Sequence, residues 1–406
     1  PAPLLHFAAA LVIYGTAQRL YDPRTAFWSA VTYATLPGIT YSAMIMSTDA
    51  PLLLCWALAL YALVRAREGD AWKWWIAVGA AAGVGLLAKY AMAYWLISAL
   101  LFLAAYRDER RHLPRFVAAA LLALLIYSPN FIWNYAHHFV SYHHTEANAA
   151  LGGTLGHPGK LLAFFGSQFG VFGPVFFAAL LVVVVLARRV LRERREAMLA
   201  FFALPTLAMM LVVSFLSRAE PNWAAPVYVS AVVLVVALLL AEGQRLLVWG
   251  SIALHCAAVV ALAEAKPAAR VLGYDLPAKY DALHRLRGWR ILGQTVSRLL
   301  RQNPGTRLLA DDRELMAALI YYVEPHPYDS LKWNAMGGIH DQFDLTADPG
   351  RYLGGNFLLV SYRNSVDAIT RRFQSSGPVE HIIIPLGGGQ ARSYEVRLLY
   401  GFKGYG

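Results

Sequence analysis

In a chain this apolar, the charged and polar residues that interrupt hydrophobic runs are the ones to question for chemistry. An ionisable group at membrane depth is unfavourable by about 2.5–3.5 kcal/mol on insertion scales, so it is seldom kept without a task. Three places stand out. Asp49 sits in Ser47-Thr48-Asp49-Ala50-Pro51, where Pro51 suits the first turn of a helix and Thr48 or Asp49 suits its cap. The carboxylate reads either as that cap or as a ligand for a metal, a sugar or an amine. Lys89, in Leu86-Leu87-Ala88-Lys89-Tyr90, is the one charge between Lys73 and Arg107. It reads either as a lysine that snorkels to the interface or as a phosphate ligand, a role that suits a compact ammonium. The third place, Arg218-Ala219-Glu220-Pro221-Asn222-Trp223, crowds a cation, a carboxylate, an amide and an indole into one short turn. It reads as a structural Arg–Glu pair beside an interface tryptophan, or as part of a substrate site.

A fourth region, 130–160, is polar and carries Asn134, His137, His138, His143, His144, Glu146 and His157. Histidines with a carboxylate can hold zinc, but this spacing matches no closed zinc motif and the loop has no cysteine. It reads as a wet loop that meets substrate through residues such as Asn134, His137, His144 and Glu146, or that packs on a neighbouring domain. No cofactor is expected, a divalent metal being the one alternative left open. Neither G-x-x-x-x-G-K-[ST] nor a G-x-G-x-x-G after a strand occurs, so nucleotide binding has no support. Gly387-Gly388-Gly389 reads as a hairpin or loop.

The elements that must position these residues follow from composition. Of 406 residues 58% are hydrophobic and 15% charged, against about 25% charged in soluble domains, which points to a bilayer. The net charge of +11 is not a nucleic-acid signature, because the positives sit in short clusters between apolar runs. Cys55 and Cys256 both lie inside such runs, which argues against a disulfide framework. Apolar runs of about 20 residues cross ~30 Å of hydrocarbon. About ten candidate spans are read, at 3–18, 25–45, 49–64, 72–88, 90–106, 115–129, 161–187, 197–216, 222–241 and 246–264.

One set of loops holds Arg19, Arg24, Arg65, Arg67, Lys73, Arg107, Arg110, Arg111, Arg115, Arg188, Arg189, Arg192, Arg194, Arg195 and Arg245, and the other only Lys89, Lys160, Arg218 and Lys266. The positive-inside rule places the first set in the cytoplasm. Asp49, Lys89 and Glu220 then share the outer face and are expected to converge on one cavity. The first span would run from outside to inside, so a further transmembrane helix and outer loop are expected before Pro1. After Lys266 charges occur throughout. Runs such as Asn356–Ser361 and 381–385 alternate with helical patterns at 313–323 and 365–373, which predicts two domains: a membrane domain, 1–266, and a small water-facing α/β domain, 267–406.

Four stretches in order carry a family resemblance: Ser47–Leu52, Gly85–Tyr90, Ser128-Pro129-Asn130-Phe131-Ile132-Trp133-Asn134 and Glu220-Pro221-Asn222-Trp223-Ala224-Ala225-Pro226. Together they resemble the bacterial family-39 glycosyltransferases, relatives of the protein mannosyltransferases and of the aminoarabinose transferases that modify lipid A. The resemblance implies a GT-C fold in a multi-pass inner-membrane protein with a periplasmic C-terminal domain. It implies a hexosyl or pentosyl transfer from a polyprenyl-phosphate sugar donor to a lipid, glycan or protein acceptor of the cell envelope. It matches Asp49 to the second acidic position at the outer face, Lys89 to the lysine near the donor phosphate, and the turn from Arg218 through Asn222 to Trp223 to a loop near the active site. On the chemistry, Lys89 or Arg218 would stabilise the departing phosphate, and Asp49 or Glu220 would bind sugar or acceptor at the catalytic site and be second choices for the base. The family's acidic motif in the first outer loop has no counterpart here and would precede Pro1. A transporter or lipid flippase is the rival reading. It would instead place charges near the bilayer midplane, in broken helices of repeated halves.

Overall fold

The computed structural model describes residues 1–69, 71–149, 156–281, 283–346, 349–362 and 366–405. Part of the polar loop 130–160 and Ser365, the start of one expected helix, lie outside the described residues. The chain divides into two compact units, Pro1–Val259 and Val260–Gly406.

The first unit is helical. In chain order it contains α1 (Ala2–Leu20), α2 (Pro23–Thr35), α3 (Pro37–Ala43), α4 (Asp49–Gly69), α5 (Trp72–Ala88), α6 (Ala93–Ala105), α7 (Leu113–Ala136), α8 (Val140–Ala149), α9 (Pro158–Val171), α10 (Pro174–Val185), α11 (Ala187–Val190), α12 (Arg194–Leu216) and α13 (Val227–Ala241). Helix α14 (Arg245–Val271) runs across the division between the units. Among the described residues four helices are long and apolar enough to cross a membrane: Asp49–Gly69, Arg110–Ala136, Arg194–Leu216 and Arg245–Val271. Three shorter apolar helices, Trp72–Ala88, Tyr90–Ala105 and Val227–Ala241, accompany them.

Two of the expected spans are not continuous helices. The run 25–45 breaks between α2 and α3 because Leu36 precedes Pro37 and takes an extended conformation, φ −52° and ψ 130°; the proline ring disfavours the helical conformation at the residue before it. The run 161–187 breaks between α9 and α10, whose axes meet at 118°. Gly173 makes that corner at φ +85°, a conformation open to glycine and strained for other residues, and Pro174 starts the next helix.

Burial sorts the helices. Helix α13 is buried on all sides from Val227 to Ala237, as expected for a helix apolar all round at the centre of a bundle. Helix α4 is also largely inside, with Trp56 fully buried. By contrast α7 and α14 leave Leu121, Leu124, Leu125, Leu246 and Leu254 exposed. Helices α5 and α7 approach closely at Gly79 and Gly83. A Cβ added at Gly79 would lie 2.5 Å from the Ala119 carbonyl oxygen, and one at Gly83 would lie 2.7 Å from Ile126 Cβ. Small residues four apart let backbones meet in this way. They fix α5, and therefore Lys89 at its end, on the bundle.

The second unit packs helices on one small mixed sheet. Its elements are α15 (Trp289–Gln302), β1 (Thr306–Ala310), α16 (Arg313–Tyr322), β2 (Leu331–Lys332), α17 (Gln342–Thr346), β3 (Asn356–Ser361), α18 (Asp367–Thr370), β4 (Phe373–Ser376), β5 (Glu380–Gly387) and β6 (Gln390–Phe402). The strand order is β2-β1-β3-β6-β4, with β5 also paired to β6. β1 runs parallel to β2 and β3, whereas β6 is antiparallel to β3, β4 and β5. The period of two in strands sorts the core: Leu308, Ala310, Leu358 and Val360 meet α15 and α16, and Leu309, Phe357 and Leu359 pack with Phe373 and Phe402 on the other face. The expected strand at 356–361 is present with those bounds. The glycine run 387–389, all at positive φ, turns β5 into β6 as a hairpin.

Candidate active site

The site is built where three helix ends meet. Asp49 is the first residue of α4, with its amide donating to Ser47 Oγ at 3.3 Å. Lys89 is the residue on which α5 ends, extended at φ −161° and ψ 134°. Asn222 lies in the single 3-10 turn Pro221–Ala224 that joins α12 to α13. Each lies at a helix terminus or in the turn between two helices, so a polar side chain there does not disrupt an apolar face.

The three side chains touch. Lys89 Nζ donates to Asp49 Oδ1 at 2.6 Å, and Asn222 Nδ2 donates to Asp49 Oδ2 at 2.7 Å. Both carboxylate oxygens are therefore held, by a cation and by an amide. The Asp49 side chain is 11% exposed and that of Lys89 28%, so the pair is shielded, and Lys89 lines an open space. That space is a cavity of about 380 Å³ lined by Lys89, Asn222, Trp223, Tyr90, Tyr94 and Thr145 together with apolar side chains such as Leu52 and Met210. One polar corner on an otherwise apolar cavity suits an amphiphile with an anionic head.

Aromatic packing steadies one wall. Tyr90 stacks on Tyr142 with ring centroids 5.0 Å apart, the Tyr127 and Tyr142 hydroxyls lie 2.5 Å apart, and the Tyr90 hydroxyl donates to Asn130 Oδ1 at 3.3 Å. Asn134 is fully buried. Its amide donates to Asn130, and its oxygen receives the Ser141 amide proton at 3.2 Å. Asn134 therefore joins α7 to α8 and brings Thr145 to the cavity.

The other residues singled out in the sequence sit differently. Glu220 and Arg218 pair with each other at 3.6 Å, both about half exposed at 52% and 55%, and neither lines the cavity. His137 stacks on Trp133 at 4.2 Å and donates from Nδ1 to the Trp133 carbonyl at 2.8 Å. His144 is exposed, as are His143 and Glu146, which approach to 3.5 Å. Among the described residues no group of three or more His, Cys, Asp and Glu side chains is arranged to hold a metal. Tyr90, Tyr94 and Thr145 were not foreseen. The aromatics read in sequence as ordinary members of apolar runs, and only the α5–α6 corner and the α7–α8 link turn them to the cavity.

Comparison with known proteins agrees with this architecture. The family model of dolichyl-phosphate-mannose-protein mannosyltransferases matches residues 1–133. The lipid A galacturonosyltransferase RgtD of Rhizobium johnstonii is 29% identical over 334 residues, 80% of this chain and 68% of its own. The lipopolysaccharide core galacturonosyltransferase RgtA of the same organism is 30% identical over 138 residues, 33% of this chain and 28% of its own. Among solved structures, ArnT from Cupriavidus metallidurans bound to undecaprenyl phosphate superposes with a TM-score of 0.61 at 17% identity, over 98% of this chain and 83% of that one. Its apo state gives 0.59 at 16% identity, over 98% and 82%. At such identity the likeness is one of fold.

Proposed function

We infer that this chain, a bacterial glycosyltransferase of the GT-C type related to lipid A galacturonosyltransferase and ArnT, moves a sugar from a polyprenyl-phosphate donor to an acceptor of the cell envelope at the outer face of the membrane. The observation that carries this reading is the Lys89–Asp49–Asn222 cluster at the polar corner of an apolar cavity. The bond between the sugar's anomeric carbon and the phosphate oxygen breaks, and one to an acceptor oxygen or nitrogen forms. The departing polyprenyl phosphate takes the electron pair, and the acceptor proton passes to a base. Charge thus develops on the phosphate, where a pre-placed cation stabilises the transition state most. Lys89 is the cation in place for it. In this reading the shorter apolar helices and the bent pair α9–α10 complete the membrane domain beside the four long spans, and the second unit lies outside the cytoplasm.

RgtD is named for galacturonosyl transfer, which makes a hexuronosyl group the first donor sugar to test. The breaks between α2 and α3 and between α9 and α10 are features that favour a transporter. The charged cluster, however, sits at helix ends and in a 3-10 turn, outside either break, whereas a transporter's coupling site would be formed by the broken helices themselves. The test is transfer by the purified, reconstituted protein from polyprenyl-phosphate galacturonate to a lipid A acceptor. Transfer from that donor and none from UDP-galacturonate is expected. Equal use of the nucleotide sugar would overturn the donor assignment, and facilitated movement of the lipid-linked sugar without transfer would establish the transporter.

A further inference from the structure

The second unit holds a cavity of about 590 Å³ that the transferase reading leaves unused. One wall is a single face of α15. Arg290, Gln294, Ser297 and Arg301 follow one another at steps of four, three and four residues, the spacing that aligns side chains along a helix. The opposite face of the same helix places Leu292 and Val296 in the core with α16 and the sheet, so the polar face is held still. Ser297 Oγ donates to the Gly293 carbonyl at 2.6 Å and receives the Glu324 amide proton at 2.9 Å. That bond ties the segment after α16 to the cavity floor. The far wall carries Tyr321, Glu324 and His326. His326 donates from Nδ1 to the Ile320 carbonyl at 2.9 Å, which leaves Nε2 for a ligand, and Tyr321 is 70% exposed.

The charges are what point to a ligand. In this unit Arg287, Arg307 and Arg397 pair with Asp281, Asp329 and Glu395, whereas others such as Arg298 and Arg313 have no ion pair among the described residues. Arg290 and Arg301 also have none among the described residues; what sets them apart is that both line one cavity. Two unpaired guanidiniums beside an exposed aromatic ring, an amide and a carboxylate are complementary to a sugar bearing acidic groups. The guanidiniums take carboxylates or phosphates in bidentate fashion, the amide and carboxylate take hydroxyls, and the ring takes an apolar sugar face. The two arginines are eleven residues apart, roughly 16 Å along the helix axis at 1.5 Å per residue. That separation favours an extended ligand with more than one acidic group over a single small anion.

We propose that this cavity is a binding site for an acidic oligosaccharide, separate from the site of transfer. The test uses the full chain in detergent micelles and trigalacturonic acid as probe, followed by saturation-transfer NMR and titration calorimetry. Maltotriose serves as the neutral sugar of equal length and inorganic phosphate as the small anion. Trigalacturonate is expected to bind at least tenfold more tightly than either. Arg290→Gln and Arg301→Gln are expected to weaken it about three- to fivefold each, the range of an exposed ion pair, and about tenfold or more together. Arg298→Gln, which removes the same charge from the same helix away from the cavity, is expected to leave it within twofold. Equal affinity for maltotriose or for phosphate overturns the proposal. So does undiminished trigalacturonate binding in the folded double variant, which would place the sugar elsewhere. None of these outcomes depends on whether polyprenyl-phosphate galacturonate is a donor.

Discussion

Lys89→Met is the substitution that separates donor binding from folding. Methionine keeps an unbranched stem at the cavity wall but removes the ammonium. In the free protein the loss leaves Asp49, 11% exposed on its side chain, with Asn222 as its remaining partner at 2.7 Å. A hydrogen bond to a charged group contributes about 1.5–3 kcal/mol, and Lys89, 28% exposed, belongs at the lower end of that range. The expected loss of stability is therefore about 1.5–2 kcal/mol. The same ammonium is proposed to meet the donor phosphate, where the apolar cavity shields it, so undecaprenyl phosphate should bind about 10- to 100-fold more weakly. Native mass spectrometry of the purified protein gives the lipid affinity directly. Thermal denaturation with and without lipid gives it through linkage, since 100 Kd of ligand stabilises the folded state by about 2.7 kcal/mol. Lys89→Arg keeps the charge and should recover much of the binding. If folded Lys89→Met binds undecaprenyl phosphate within threefold of the parent, the ammonium does not hold the phosphate and the site assignment fails.

Further outcomes follow from particular contacts. Asp49→Asn keeps a near-isosteric side chain and is expected to weaken lipid binding about tenfold with the shape of the pH–rate profile unchanged; a fall in turnover of about 10²–10⁴ with loss of the acidic limb would make Asp49 the general base instead. Gly173→Ala puts a side chain where φ is +85° and where His255 already packs, so thermal denaturation should show a loss of more than about 2 kcal/mol. The double variant with His255→Ala should recover the steric part, and an unchanged melting temperature in the single variant would refute the account of the bend. In spheroplasts of a cysteine-free background, an impermeant maleimide is expected to label Ser376→Cys in the second unit and to miss Arg192→Cys; the reverse pattern would invert the orientation.

How much of this was legible in the sequence depends on how a residue announces itself. Asp49 and Lys89 stand alone in apolar surroundings, and the cost of isolated charge there made them visible and made their meeting expected. Glu220 was visible for the same reason, yet in the structure it pairs with Arg218 in the open, while Asn222, two residues on, reaches Asp49. Sequence shows that a turn is polar. It does not show which polar group a 3-10 turn started by Pro221 directs inward. The histidine-rich loop reads in sequence as a wet surface because its polar residues match no closed zinc motif, and His143 and Glu146 are 70% and 77% exposed. Strands were legible where apolar runs are short and bounded, as at Asn356–Ser361. Continuous spans were overread at 25–45 and 161–187, because hydropathy averages across Pro37 and Gly173-Pro174, which set the breaks.

The arrangement of the cluster also bears on how it would work without coming apart. An ammonium has three N–H donors. Lys89 gives one to Asp49 Oδ1, and it lines the cavity, so the others are left for a ligand there. A phosphate can therefore be bound by adding contacts to the existing pair, so the charge of Asp49 stays compensated through the cycle. Asn222 adds a second constraint, since its amide holds Oδ2 and keeps the carboxylate from turning away. A carboxylate held at both oxygens is well placed to orient a cation and poorly placed to follow an acceptor proton, which needs a base within about 2.6–3.2 Å in the right direction. In the proposed reaction Asp49 is accordingly a positioning residue acting through Lys89. Turn residues joining α12 to α13 are then part of donor recognition, although Asn222 need never touch the donor.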